Sequence, residues 1–337
     1  MSEPHPARAQ IRVDPFGGHR VILAPDRANR PYAYAKSDPP VERGECPFCP
    51  GMEHETPPEL FAVRDDAPNA SGWLARVVPN KFPALNHATD RAEGQAPWEL
   101  VEPGLGVHEV VIEHPDHRWT WADASDEEAL RVLAILRDRA AAHARDERWA
   151  YTQIFRNEGR EAGASLAHPH TQVLSLPFVP LPLAREAESF GAHHAQTGRC
   201  LMCDVIERER GLGDRWIAGH GRAAAFAPFA PRFAYETWIV PTVHGARFEE
   251  SPDEVLADVA RILIDVARRM RRVLWRFDHN WVLHTRPRNP LLPGVFHWHI
   301  EWTTRQGRAA GFERATDTYI NSVSPEVAAA SLRAAGE

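Results

Sequence analysis

The sequence predicts an α+β fold made of two tandem copies of one unit, each an antiparallel sheet with flanking helices. Three observations carry this. A C-x-x-C, a histidine closing a β-branched run and an H-x-H recur in the same order in both halves of the chain. A capped amphipathic helix follows the middle histidine each time, and two strand-like segments complete each copy.

In chain order, the first copy holds C-P-F-C at 46–49, H-E-V-V-I-E-H-P-D-H at 108–117 and H-P-H-T-Q at 168–172. The second holds C-L-M-C at 200–203, E-T-W-I-V-P-T-V-H at 236–244 and F-H-W-H-I-E at 296–301. The intervals His117–His244 and His168–His297 agree to within two residues, whereas Cys46–Cys200 is longer. One shortening of the second copy, between its C-x-x-C and its strand, accounts for most of the difference. Ser125 and Glu128 have capping-box spacing ahead of one helix, and Ser251 and Glu254, with Pro252 at the first helical position, ahead of the other. Both amphipathic patterns continue for about 20 residues. Strands are expected at 150–156 and 279–285. P-L-P-L-A-R-E at 180–186 reads as the connection between the halves, and R-P-R-N-P-L-L-P-G at 286–294 as a long loop. The expected domains are 1–178 and 179–337.

The chain has 337 residues, of which 43% are hydrophobic and eleven are tryptophan, so a large core is expected. A net charge of −7 argues against a general polyanion-binding surface, so no nucleic-acid partner is expected. The N-terminus has no charged segment followed by an apolar run, and nowhere do about 18 apolar residues run together. A soluble, cytoplasmic protein with no membrane partner is expected. The four cysteines form two C-x-x-C pairs. In a reducing compartment, such pairs near histidines point to zinc sites more than to disulfides. Redox use is the competing reading, but neither pair sits between the strand and helix of a thioredoxin-like unit.

A strand alternates its side chains, so His168, His170 and Gln172 share one face. Pro169 has no N–H for a ladder, which puts this end at a strand start or sheet edge. Adjacent imidazoles plus an amide suit phosphoryl transfer: an imidazole nitrogen is both a nucleophile and a leaving group near neutral pH, and the amide holds a phosphoryl oxygen.

With C-P-F-C-P-G-M-E, T-P-P-E at 56–59, F-R-N-E-G at 155–159, G-A-S at 163–165, H-P-H-T-Q and the late H-W-H-I-E, the sequence resembles the galactose-1-phosphate uridylyltransferase family, the transferase branch of the histidine-triad superfamily. The resemblance runs from about residue 12 to 325. It implies two fused histidine-triad-like units, a ping-pong reaction through a nucleotidyl-histidine and a homodimer. A nucleotide sugar and a sugar 1-phosphate, or phosphate, would be the substrates. By the same resemblance His170 is the nucleophile, Gln172 contacts the transferred phosphoryl group and Ser165 lies close by. Arg27, Arg30 and Asn157 would face the phosphates, and Asn80 the nucleoside. Phe312, Thr316 and Thr318 are candidates for the acceptor pocket.

Cys46, Cys49, His117 and His168 match the family's first zinc site, with His114 and His108 as nearby but poorer candidates. Cys200, Cys203, His244 and His297 form the second set by the repeat, giving two zinc ions per chain. The best-known uridylyltransferases use a carboxylate and histidines there, so this C-x-x-C resembles the ADP-glucose phosphorylase branch instead. Lys81, where the uridylyltransferase pattern has an acid, and G-F-E-R-A-T-D-T-Y-I-N at 311–321 point the same way. His299 is the copy of the nucleophile, but it lacks the T-Q partner and is expected to be non-catalytic.

Overall fold

Strands from both halves join in a single antiparallel sheet. The computed structural model describes residues 10–25, 46–64, 67–86, 98–307 and 309–336. The first half supplies β1 (Gln10–Val13), β2 (Arg20–Leu23), β3 (Phe61–Val63), β4 (Ala75–Pro79), β5 (Val107–Ile112), helix α1 (Asp126–His143), β6 (Tyr151–Glu158) and β7 (His170–Leu176). Helices α2 (Leu181–Thr197) and α3 (Leu201–Leu212) lead into β8 (Trp216–His220), β9 (Ala223–Phe226) and β10 (Thr237–Pro241). Then come α4 (Asp253–Leu274), β11 (His279–His284), β12 (His299–Thr304), α5 (Gly311–Thr316), β13 (Thr318–Asn321) and α6 (Pro325–Ala334).

The large sheet runs β3-β4-β5-β7-β6-β11-β12-β10-β9-β8, an order that is symmetric about its centre. The unit β5-α1-β6-β7 is matched by β10-α4-β11-β12, as the repeat predicts. The two copies meet where β6 pairs antiparallel with β11, with Phe155 opposite Val282. A second sheet, β1-β2-β13, pairs the N-terminal strands with the C-terminal region, β13 running parallel to β2.

One face of the large sheet is covered by α1, α4 and α6. There Val111, Ile154, Val173, Ile239, Trp281, Leu283, Ile300 and Trp302 pack with Leu133, Leu136, Val259, Leu263 and Leu332 in the main core. The opposite face is treated differently in the two halves. Over β9, β10 and β12, helices α2 and α3 together with Phe16 form a second core, in which Phe190, Met202 and Ile206 meet Phe226, Trp238 and Val240. Over β4 and β5 the matching cluster is Trp73, Val78, Val110 and Ile112 with Phe48 and Ala62, and no helix among the described residues contributes to it.

Helix α1 starts with the expected capping box: the Glu128 N–H donates to Ser125 Oγ, and the Ser125 N–H donates to Glu128 Oε2. Two expectations are corrected. Ser251 does not cap α4; the helix begins one residue later with Pro252 at the cap, and the Ser251 hydroxyl has no partner among the described residues. A tight turn at Phe248–Glu250 takes the Ser251 N–H onto the Phe248 carbonyl and rotates the residue out of cap position. Residues 180–186 are not a loose connection but the first turn of α2. Proline is tolerated there because the first helical N–H groups need no intrahelical partner, and Leu183, Ala187 and Phe190 bury one face. Among the described residues no helix is long and apolar enough to cross a membrane.

Candidate active site and metal centres

The start of β7 is fixed from both sides of Pro169. The proline carbonyl accepts the Glu113 N–H, aligning the chain with β5. His168 is 1% exposed, and its Nε2–H donates to the His114 carbonyl at 2.8 Å. That bond leaves Nδ1 as the lone-pair nitrogen, 3.6 Å from Cys49 Sγ, with His117 Nδ1 3.5 Å from the same sulfur. Cys46, Cys49, His117 and His168 each offer one ligand atom within 4.8 Å of all the others. A tetrahedral ion with Zn–S of about 2.3 Å and Zn–N of about 2.05 Å separates sulfur from nitrogen by about 3.6 Å, so this donor set fits zinc. Burial holds the His168 imidazole down to about 4 and, with Cys46, raises the Cys49 thiol to about 11. The histidine is therefore a neutral ligand, and the Cys49 thiol ionises readily only against a cation. The carbonyl–imidazole bond is the orienting contact expected around a metal ligand.

The second half repeats the arrangement. Cys200, Cys203, His244 and His297 converge in the same way, with sulfur–nitrogen distances of 3.6 and 3.8 Å. His297 Nε2–H donates to the Pro241 carbonyl at 3.0 Å, the counterpart of the His168–His114 bond. Cys200 caps the N-terminus of α3 and Cys203 sits in its first turn. A hydrogen bond from the Cys203 thiol lowers Cys200 to about 3, while Cys203 is pushed up. Of the two poorer candidates, His114 stacks on Trp119 and pairs with Glu128, and His108 turns toward Gln172. Neither joins a cluster.

His170 follows on the same face. Its Nδ1–H donates to the His168 carbonyl at 2.8 Å, leaving the lone pair on Nε2, which has no hydrogen bond among the described residues. Burial, and secondarily the Arg156 guanidinium, lowers its pKa, so the ring is neutral near pH 7. Phe48, from within the first C-x-x-C, meets the ring edge to face at 5.5 Å. Gln172 lies two residues along, and Asn80 on the far side of β5 completes a row across three strands.

Asn157 comes from the end of β6, and the other half orients its amide. Asn280 of β11 donates from Nδ2 to Asn157 Oδ1 at 2.7 Å and to the Ala162 carbonyl at 2.8 Å, leaving the Asn157 amino group free to face the site. The following loop is also held just ahead of β11, where Asp278 Oδ2 accepts the Glu161 N–H at 2.6 Å. Gly159 turns this loop at φ +86°, and a Cβ there would lie 2.1 Å from Asp278 Cγ. Gly159→Ala is expected to lose roughly 2–4 kcal/mol in denaturant unfolding, from the left-handed backbone and the clash together. A loss below about 0.5 kcal/mol would show that the loop does not need this glycine.

The remaining sequence candidates are more scattered. Ser165 is exposed on the β6–β7 connection. Phe312, Thr316 and Thr318 lie on α5 and β13 beside the small sheet, and their hydrogen bonds among the described residues are local. Arg27 and Arg30 fall outside the described residues.

The second half buries His299, its copy of His170. His299 Nδ1–H donates to the His297 carbonyl at 3.0 Å, as His170 does to His168, but the ring is 0% exposed against 7% for His170. Trp238 stacks on it at 4.8 Å. Where the first half has Gln172, the second has Glu301, paired with Arg232. A carboxylate there repels a phosphate.

Sequence reading missed Glu186 and His284, which with His299 form a third group of potential ligand atoms. No short motif joins them. Burial opposes charge on His284, but Glu301 and Glu186 outweigh it and raise the imidazole pKa, so the group balances its charge internally.

A sequence model described as galactose-1-phosphate uridyl transferase, N-terminal domain, matches residues 3–180. The ADP-glucose phosphorylase of Arabidopsis thaliana is 31% identical over 332 residues, spanning 96% of this chain and 92% of that protein. A galactose-1-phosphate uridylyltransferase of Thermotoga maritima is 26% identical over 334 residues, spanning 96% and 98%. The crystal structure of the Arabidopsis thaliana ADP-glucose phosphorylase with bound ADP-glucose is similar at a TM-score of 0.82 and 30% identity, over 97% of this chain and 99% of that one. A uridylyltransferase structure reaches 0.76 at 27% identity, over 97% and 98%.

Proposed function

The chain belongs to the galactose-1-phosphate uridylyltransferase family, and on that premise we propose that it moves a nucleoside monophosphate between an NDP-hexose and a hexose 1-phosphate through a covalent bond to His170. The observation that carries this is the Nδ1–H bond from His170 to the carbonyl of His168, which leaves Nε2 unprotonated. In the first step the Nε2 lone pair attacks the α-phosphorus. The bond to the bridging oxygen breaks and its electron pair leaves on the hexose 1-phosphate. In the second step an acceptor phosphate oxygen attacks the same phosphorus, and the N–P electron pair returns to Nε2. No proton moves, because the leaving group is already an anion. The His168 carbonyl stabilises the ring as it gains positive charge.

The amides of Gln172 and Asn157 face the phosphoryl oxygens, with Ser165 at the mouth of the β6–β7 connection. Arg27 and Arg30 hold the diphosphate, Asn80 the nucleoside, and Phe312, Thr316 and Thr318 the acceptor phosphate. Zinc occupies both Cys/His sets, two ions per chain, as closed four-ligand structural sites that supply rigidity. Residues 1–178 form the catalytic half and 179–337 the supporting half, and the working protein is a cytoplasmic homodimer.

UDP-glucose with galactose 1-phosphate is the leading substrate pair. A second reading, ADP-glucose cleaved by inorganic phosphate, is favoured by the thiolate pair in the second metal set, by Lys81 beside Asn80 and by the 31% identical relative. Offering UDP-glucose and ADP-glucose, each with galactose 1-phosphate or with phosphate, separates the two. Turnover confined to ADP-glucose plus phosphate refutes the leading pair. The absence of transfer from any nucleotide sugar refutes the class.

A further inference from the structure

Resting on that reading, we propose that His108 is a positioning residue that decides which end of the Gln172 amide meets the transferred phosphoryl group. A glutamine amide has a donor end and an acceptor end, and only the donor end stabilises a phosphoryl oxygen. Something must therefore prevent the side chain from turning over.

The contacts of His108 supply the constraint. On β5, Val110 stands opposite Gln172 and His108 opposite Leu174, so His108 and Gln172 are diagonal neighbours on the face that carries His170. The Ala84 N–H donates to His108 Nδ1 at 3.2 Å, so Nδ1 must carry the lone pair. A neutral imidazole has one N–H, which must then be on Nε2. A doubly protonated ring would set two N–H groups against each other at Ala84, and burial disfavours that form in any case. The Nε2–H points at Gln172 Oε1, 2.9 Å away. The Gln172 oxygen is thereby taken and its amino group is left for the ligand.

Asn80 fits the same logic. Its Oδ1 accepts the Phe82 N–H at 2.9 Å, which turns its amino group toward His108 Nε2 at 3.3 Å. Since Nε2 already carries a proton, the Asn80 hydrogens also remain for the ligand. One backbone N–H, in the 81–86 loop, thus fixes the proton of His108 and through it the sense of the amide next to the nucleophile.

The first test is the ring 15N shifts of histidine-labelled, ligand-free protein, where His108 should carry its proton on Nε2. A proton on Nδ1 overturns the proposal, with or without activity. The second is single-turnover labelling of His170 by nucleotide sugar in wild type, His108→Phe, His108→Gln, Gln172→Ala and the double variant His108→Phe/Gln172→Ala. His108→Phe should slow labelling roughly 10- to 100-fold with half-saturation within about twofold of wild type. His108→Gln, whose amide N–H reaches the place of Nε2–H, should recover most of the rate. The double variant should be no slower than Gln172→Ala alone, because the effect passes through that one amide. Slowdowns that multiply in the double variant, or a change confined to half-saturation, overturn the role of His108 while leaving the covalent reading intact. Wild-type protein that labels with no nucleotide sugar overturns both.

Discussion

His170→Gly is expected to lower turnover by roughly 10⁴-fold or more and to leave no nucleotide on the protein after incubation with a labelled nucleotide sugar. The size follows from what is removed. On the proposed mechanism Nε2 supplies the electron pair that divides one displacement between two anions into two easier steps, and no other imidazole among the described residues on that face is placed to substitute. His168 lies beside it, but its Nε2–H is held by the His114 carbonyl and its Nδ1 faces Cys49. His299, the internal copy, is sealed beneath Trp238. The fold should survive, since the ring meets the His168 carbonyl and the Phe48 edge and, among the described residues, ties no distant elements together. The checks are acid-labile, alkali-stable label per chain, turnover and the unfolding midpoint. Near-normal turnover by a folded His170→Gly protein would end the covalent mechanism.

The second large effect concerns the first Cys/His set. Cys46→Ser with Cys49→Ser is expected to remove one equivalent of zinc per chain, to lose roughly 3–6 kcal/mol of stability and to reduce transfer severely. His168 connects the three results. Its side chain belongs to the cluster and its carbonyl holds the His170 ring, so freeing the first disturbs the second. The matching change, Cys200→Ser with Cys203→Ser, should also remove one equivalent and destabilise. It should spare transfer far more, because the carbonyl of His297 orients only the buried His299. Metal analysis, denaturant titration and labelling rate read all three. Equal loss of transfer from both pairs would remove the special place given to His168.

The repeat and the placing of its histidines along the strand were legible because they follow short-range rules. Alternation put His168, His170 and Gln172 on one face, and the Ser125–Glu128 spacing gave the start of α1 to the residue. What failed depended on neighbours the sequence does not name. Pro180 and Pro182 made 180–186 look like a linker, although proline in a first turn breaks nothing and the burial of Leu183 and Phe190 decides the matter. Ser251 had cap spacing but lost its place to the turn before it. His108 was considered as a metal ligand, and its partnership with Gln172 depends on the register between β5 and β7. Glu186, His284 and His299 come from three separate elements and share no motif. Arg27 and Arg30, read from the family pattern, lie outside the described residues.

The ladder between β6 and β11 leaves no free edge between the halves. Twins that met this way as separate molecules would have to stay identical, each with an equally open mouth. Linked by a peptide bond, they are released from that obligation: one leaves its histidine ring less covered, and the other carries a helical roof and braces its sibling's loop through Asn280 and Asp278. Division of labour here is a product of covalent attachment.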